Sequence, residues 1–228
     1  IKVTVPSPVI VAMDIRGCVV IAADNVTIKR SRITCTDSPR NRAVYPEGER
    51  VGTLIEDVEI SGGGVTDIAI DLSNVVIRRV DIHDVNDGVR MGSNITVEDS
   101  WIHDMSRIGE LHPDAIQGIS AQNVVIRRNT LDPRGPVPGA AGNAAVQLGS
   151  ETGAMVSRNV VIEGNYIDGG NCPVNVRADI NGSNIVVRAN RFGPNSKYTQ
   201  VIGPRLVSVT TDNVMDVWGT KIAITWTN

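Results

Sequence analysis

A nine-residue motif recurs along the chain, and its register constrains the fold more than any other feature. Asn25-Val-Thr-Ile-Lys-Arg-Ser-Arg-Ile33 returns as Asn74-Val-Val-Ile-Arg-Arg-Val-Asp-Ile82, Asn94-Ile-Thr-Val-Glu-Asp-Ser-Trp-Ile102 and Asn123-Val-Val-Ile-Arg-Arg-Asn-Thr-Leu131. It returns twice more as Asn159-Val-Val-Ile-Glu-Gly-Asn-Tyr-Ile167 and Asn184-Ile-Val-Val-Arg-Ala-Asn-Arg-Phe192. A weaker copy, Gly52-Thr-Leu-Ile-Glu-Asp-Val-Glu-Ile60, fills the gap after the first, so the steps are 27, 22, 20, 29, 36 and 25 residues. Repeats of this period indicate stacked supersecondary units.

The columns of the alignment say which unit. The fourth position (Ile28, Ile55, Ile77, Val97, Ile126, Ile162, Val187) and the ninth (Ile33, Ile60, Ile82, Ile102, Leu131, Ile167, Phe192) are apolar in every copy, as stacked core positions should be. The fifth position alternates in charge through all seven copies: Lys29, Glu56, Arg78, Glu98, Arg127, Glu163, Arg188. The sixth begins the same way, then ends in Gly164 and Ala189. If copies stack as parallel strands, equivalent residues lie about 4.8 Å apart. At that distance opposite charges attract and like charges repel. The seventh column ends in Asn129, Asn165 and Asn190, which can form a hydrogen-bonded ladder at a bend.

A second apolar run with period-two alternation precedes most copies, as in Val89-Arg-Met91, Ala115-Ile-Gln-Gly-Ile119, Val146-Gln-Leu148 and Val174-Asn-Val176. No segment sustains a 3.6-residue period, and a leucine-rich frame is missing. The reading is an all-β, single-stranded right-handed parallel β-helix, a solenoid of roughly nine or ten coils on the order of 45 Å long. It takes residues 1–228 as one domain, with 1–16 as an N-terminal edge coil and 205–228 as a C-terminal capping segment.

Composition agrees. Aromatic residues are 3% with one Phe, so Val, Ile and Leu must fill the core, and β-branched side chains suit strands. Lys plus Arg is 22 against Asp plus Glu at 25; a net charge of −3 argues against nucleic acid as a partner. No apolar run approaches the ~18 residues of a membrane helix, which argues against membrane insertion. Ile1 to Pro8 show no basic start followed by an apolar stretch, so no leader peptide is visible there. Of three Cys, Cys172 stands apart, while Cys18 and Cys35 fit either a bridge or two neutral buried thiols.

The repeats resemble the right-handed parallel β-helix proteins of the pectate-lyase-like superfamily. Ala23-Asp-Asn-Val-Thr-Ile-Lys-Arg-Ser31 and the later Asn-Val-Val-Ile-Arg-Arg copies look like actinobacterial secreted β-helix proteins and the minor tail proteins of actinobacterial phages. Asp212-Asn-Val-Met-Asp-Val-Trp-Gly219 is similar to their C-terminal ending. The likeness covers about residues 17 to 220. It implies a secreted or virion location, and a homotrimer if the chain is a phage tail component.

Function is expected where coils exceed minimum length. Insertions fall at Met105-Ser-Arg-Ile-Gly-Glu-Leu-His-Pro113, Pro133-Arg-Gly-Pro-Val-Pro-Gly-Ala-Ala-Gly142 and Ser150-Glu-Thr-Gly-Ala-Met-Val-Ser157. The first two follow the same core column and should wall one groove. Asp71, Arg90, Gln117, Gln147 and Asn175 align as one outward column, with Arg177 two places further on. Such a stripe suits the hydroxyls and carboxylates of a polysaccharide, since Arg pairs carboxylates bidentately; it equally suits a ladder that satisfies neighbouring strands. His83 and His103 share one repeat position, followed by Asp132 and Asp168. They read either as capped surface histidines or as part of a substrate-binding acid–base patch.

His112, in Leu111-His-Pro-Asp-Ala-Ile-Gln117, enters the stripe beside Asp114 and Arg90. These three are the candidate catalytic set for β-elimination from an acidic glycan: base, cation and acid. Hydrolysis through Asp71, Asp87 and Asp114 is a rival reading, though no paired-Asp signature is present. A non-catalytic adhesin or tail protein is another. Low aromatic content counts against neutral sugars more than acidic ones. The sequence leaves the cofactor open. Ca2+ at Asp84, Asp87 and Asp104 is conceivable but unsupported by spacing.

Overall fold

The computed structural model describes residues 1–150 and 153–228; Glu151 and Thr152, inside the third insertion, lie outside the described residues. The described residues form a right-handed parallel β-helix without helices. Each coil has three short faces. The first carries the start of the repeat, the second its eighth and ninth positions, and the third the preceding apolar run. Among the described residues nine strands stack on the first face, from Val9–Val11 to Val207–Val209. Ten stack on the third, from Lys2–Val3 to Ile224–Thr227. Both terminal segments are built as coils: Ile224 pairs with Val201, and Lys2 with Val20.

The register is the one the columns require. Ile28, Ile55, Ile77, Val97, Ile126, Ile162 and Val187 are successive ladder partners, and all are fully buried. The ninth column stacks likewise from Ile33 to Phe192. Each such side chain contributes about 1.5–3 kcal/mol by leaving water, and one unbroken column per face links every coil to the next.

The corners explain the polar columns. Asn25, Asn74, Asn94, Asn123, Asn159 and Asn184 all have φ between 54° and 56°, a left-handed conformation that Asn adopts more readily than most residues. Their side chains also bond coil to coil, Asn94 Nδ2 donating to Asn74 Oδ1 at 2.7 Å and Asn123 to Asn94 at 2.9 Å. Gly52 occupies this column in the weak copy, at φ 72°, where a Cβ would come 2.2 Å from Asn25 Oδ1. The sixth column is left-handed too, from Arg30 (φ 47°) to Gly164 (φ 63°), so glycine there fits the turn although it breaks the charge pattern.

A second ladder runs inside. Asn129, Asn165 and Asn190 are buried, and Asn213 extends the column. Asn165 Oδ1 accepts from Asn129 N–H (2.9 Å) and Nδ2 (3.0 Å), while Asn165 Nδ2 donates to Ile126 O (3.0 Å). The bend's backbone groups are thereby satisfied without water. Near the N-terminal end Cys18 and Cys35 form a disulfide across a separation of 17 residues, and Cys172 is free and buried.

Candidate active site

The third face presents the expected polar stripe. Asp71, Arg90, Gln117, Gln147 and Asn175 are consecutive ladder partners, and the column then turns apolar at Ile202. Much of it is already paired. Asp71 Oδ2 accepts from Arg42 Nε at 2.5 Å, Arg90 Nη2 donates to Gln117 Oε1 at 3.3 Å, and Gln147 Oε1 accepts from Asn143 Nδ2 at 2.5 Å.

At the start of this face the structure brings two carboxylates together. Ile68, Asp87, Asp114 and Ala144 are successive ladder partners. Ile68 and Ala144 are buried yet stand outside the interior cluster that holds Ala69, Ala115 and Ala145. This column therefore points away from the core and is covered by the chain around it. Asp87 Oδ1 accepts from Asn86 Nδ2 (3.0 Å) and from the Asp114 N–H (3.2 Å). Asp114 Oδ1 accepts from Asn143 Nδ2 (2.9 Å) and the Ala144 N–H (2.8 Å), while its Oδ2 is buried with no hydrogen-bond partner among the described residues.

This environment disfavours two negative charges. Burial, helped by the charge of Asp67, pushes the Asp87 carboxyl up to about 7, against the pull of the Asp114 N–H, Arg90 and Asn86. Burial and the Asp87 charge likewise push Asp114 well above the usual carboxylate range, against Asn143 and Ala144. At neutral pH the pair holds a proton that an ordinary aspartate would have lost. A carboxylic acid kept protonated near pH 7 is equipped for general acid work. Asp67 stands alongside, bonded through Asn86 Nδ2 at 3.4 Å.

The other expected site residues are spread out. His112 is exposed on its loop and makes no hydrogen bond among the described residues. Arg90 reaches Gln117 and lies 3.9 Å from Asp87 Oδ2. Arg177 is two coils beyond Gln117 and donates to Asp179 Oδ1 at 3.2 Å. His83 and His103 sit on the second face with ring centroids 5.7 Å apart. His83 meets Asp84 (2.8 Å) and Glu59 (3.4 Å), and His103 meets Asp104 (2.7 Å) and Asp81 (2.9 Å), so carboxylates occupy both nitrogens of each ring. Burial lowers the His83 pKa, but Asp84 and Glu59 outweigh it and the net shift is upward. Asp84 and Asp104 are turned to these rings while Asp87 serves the third face, so the calcium set does not converge; no metal-binding group of three exists among the described residues.

The first two insertions do emerge side by side, joined by Met105 N–H to Arg134 O (3.0 Å) and Asn143 N–H to Pro113 O (2.8 Å). Two features of the candidate site were not visible in the sequence. The adjacency of Asp87 and Asp114 was hidden by a sequence separation of 27 residues and by apolar partners in their column. Trp101, exposed beside a cavity, was hidden by the scarcity of aromatics.

Compared with solved structures, the chain is similar to the catalytic unit of a thermostable GH87 alpha-1,3-glucanase from Streptomyces thermodiastaticus strain HF3-3. The match covers 98% of this chain and 50% of that one, with a TM-score of 0.60 and 15% identity. At that identity the likeness speaks for the fold alone, and this chain spans about half the length of the glucanase chain. No protein-family model and no curated protein sequence matches, so the superfamily that the repeats resemble is not shown by these comparisons.

Proposed function

We propose that the chain cleaves a polysaccharide by hydrolysis at the start of the third face. The observation that carries this reading is the covered Asp87–Asp114 pair, with its retained proton, at the edge of the polar stripe. Asp87, whose side chain keeps 4% exposure, is the general acid. It gives its proton to the glycosidic oxygen as the bond to the anomeric carbon breaks. Asp67, half-buried and bonded through the same Asn86 Nδ2 as Asp87 (3.4 and 3.0 Å), attacks that carbon, and water then displaces it while the Asp87 carboxylate takes the water's proton. Asp114 is fully buried and acts as a positioning residue, its N–H holding Asp87 Oδ1 at 3.2 Å, while burial and the Asp67 charge keep Asp87 protonated. Arg90, Gln117, Gln147 and Asn175 offer planar hydrogen-bonding groups along the stripe.

Elimination has less support. His112 has no group to orient it, and the Arg90 guanidinium faces Gln117 and Asp87. A neutral glucan is the favoured substrate class, because Asp71 of the stripe is already paired with Arg42, because the other members except Arg90 are uncharged, and because the similar solved structure is a glucanase. The disulfide favours an oxidising, extracellular setting. The test is product analysis over neutral and uronate-rich glycans. New reducing ends without unsaturated products support the proposal. Unsaturated uronides would return the assignment to a lyase, and no cleavage of any glycan would leave a binding protein.

A further inference from the structure

We propose that Trp101 is the platform of a second sugar-binding site, on the second face, for a neutral pyranose; this rests on the glycan reading above. Trp101 occupies the two-residue strand Trp101–Ile102. Ile102 is fully buried, so alternation turns Trp101 outward, and it is 49% exposed. Its ring lies parallel to the His103 imidazole, with centroids 3.4 Å apart and planes at 13°. His103 is in turn held by Asp104 and Asp81. One face of the indole is thus braced, and little side-chain freedom is left to lose when a ligand covers the rest.

The ring borders two cavities, one of about 510 Å³ towards Arg134 and the 135–141 loop, the other of about 470 Å³ towards Arg79 and Arg128. Both are in the size range of small-ligand sites. The first has a fixed polar fringe. Arg134 is clamped by Asp132 (Nε–Oδ1 2.8 Å) and Asp168 (Nη2–Oδ2 3.1 Å), and Asn195 Nδ2 donates to Asp168 at 2.6 Å. An open aromatic face rimmed by planar, pre-oriented donors and acceptors suits the apolar face and hydroxyl edge of a pyranose. Charge selects the sugar. In the second cavity Asp57, Glu59, Asp81 and Asp99 outnumber Arg79 and Arg128, and in the first the Arg134 charge is spent on Asp132 and Asp168. A uronate would be repelled.

The site is distinct from the acid pair. His83 ends the second-face strand and Asp87 opens the third, around one corner of the same coil. Binding can therefore be measured apart from cleavage. The parent for the test is Asp87→Asn, with cleavage followed separately by reducing-end release. Retention in native gels containing starch, dextran, laminarin or polygalacturonate, and titration with α-1,3-linked gluco-oligosaccharides, report binding. At least one neutral glucan is expected to bind and polygalacturonate is not. Trp101→Ala should raise the Kd by about tenfold or more, the size of one good aromatic contact, with Trp101→Phe retaining most of the affinity. Equal binding by folded Trp101→Ala, or no neutral glucan bound by the folded parent, overturns the platform. If Asp87→Asn still cleaves, the hydrolytic reading fails while Trp101-dependent binding stands.

Discussion

Arg78 lies between Glu56 and Glu98 in the first-face register and donates from Nε to Glu56 Oε1 across 2.6 Å. Arg79 reaches the same carboxylate and pairs with Asp57 at 2.6 Å. Two coils later the arrangement repeats, Arg127 and Arg128 meeting Glu98 and Asp99. In each case the cation reaches back to the preceding acid. These contacts hold Glu56, Asp57 and Asp99 below the usual carboxylate range, Arg78 being the largest influence on Glu56.

Charge reversal tests that ladder. Arg78→Glu places three carboxylates in consecutive rungs and is expected to lower the thermal midpoint more than Arg78→Ala does. Adding Glu56→Arg should recover part of the loss, and added salt should shrink the difference. Equal midpoints for the Glu and Ala variants would mean that the register contributes no electrostatic selection.

The two asparagine columns should differ sharply. Asn165→Ala strips partners from the Asn129 N–H and the Ile126 carbonyl inside the wall, at about 1–3 kcal/mol for each buried group left unpaired. Asn94→Gly, at an exposed corner with φ 55°, should stay within about 1 kcal/mol of wild type. Denaturant titration of both variants gives the comparison.

Asp87 makes stability depend on pH in a particular sense. Its folded pKa, about 7, exceeds the unfolded value, so the native state holds the proton more tightly and stability falls as pH rises between about 4 and 7. Asp87→Asn removes that cost. Its midpoint should match wild type near pH 4 and exceed it at pH 8, by about 2–4 °C per kcal/mol relieved. A variant less stable than wild type at pH 8 would show that the carboxylate is not penalised by its surroundings.

Reduction of Cys18–Cys35 should destabilise the N-terminal coils by about 3 kcal/mol in the loop-entropy account of a closed loop this short. Cys18→Ser/Cys35→Ser without reductant should reproduce the shift, and reductant should then have no further effect.

The coil stack was legible because a parallel solenoid writes its contacts into columns: Ile28 to Val187, Lys29 to Arg188 and Asn129 to Asn190 are all real ladders. The stripe from Asp71 to Asn175 was legible for the same reason. What the columns could not convey is which outward residues the chain then covers. Asp87 and Asp114 are hydrolytic candidates in the sequence, but they share a column with Ile68 and Ala144, so the pattern does not show them as a covered pair. Their proton retention arises from burial under the chain packed over them, against the pull of the Asn143 hydrogen bond on Asp114. Asp71 looked equivalent but is neutralised by Arg42, from a strand outside the repeat alignment.

The pH dependence of kcat/KM for glucan hydrolysis tests the central claim most directly. With Asp87 as the general acid, the rate should fall as pH rises through about 7, and Asp87→Asn should lose about 100-fold or more together with that limb. A rate that climbs through this range, or an Asp87→Asn enzyme that matches wild type, would contradict the account.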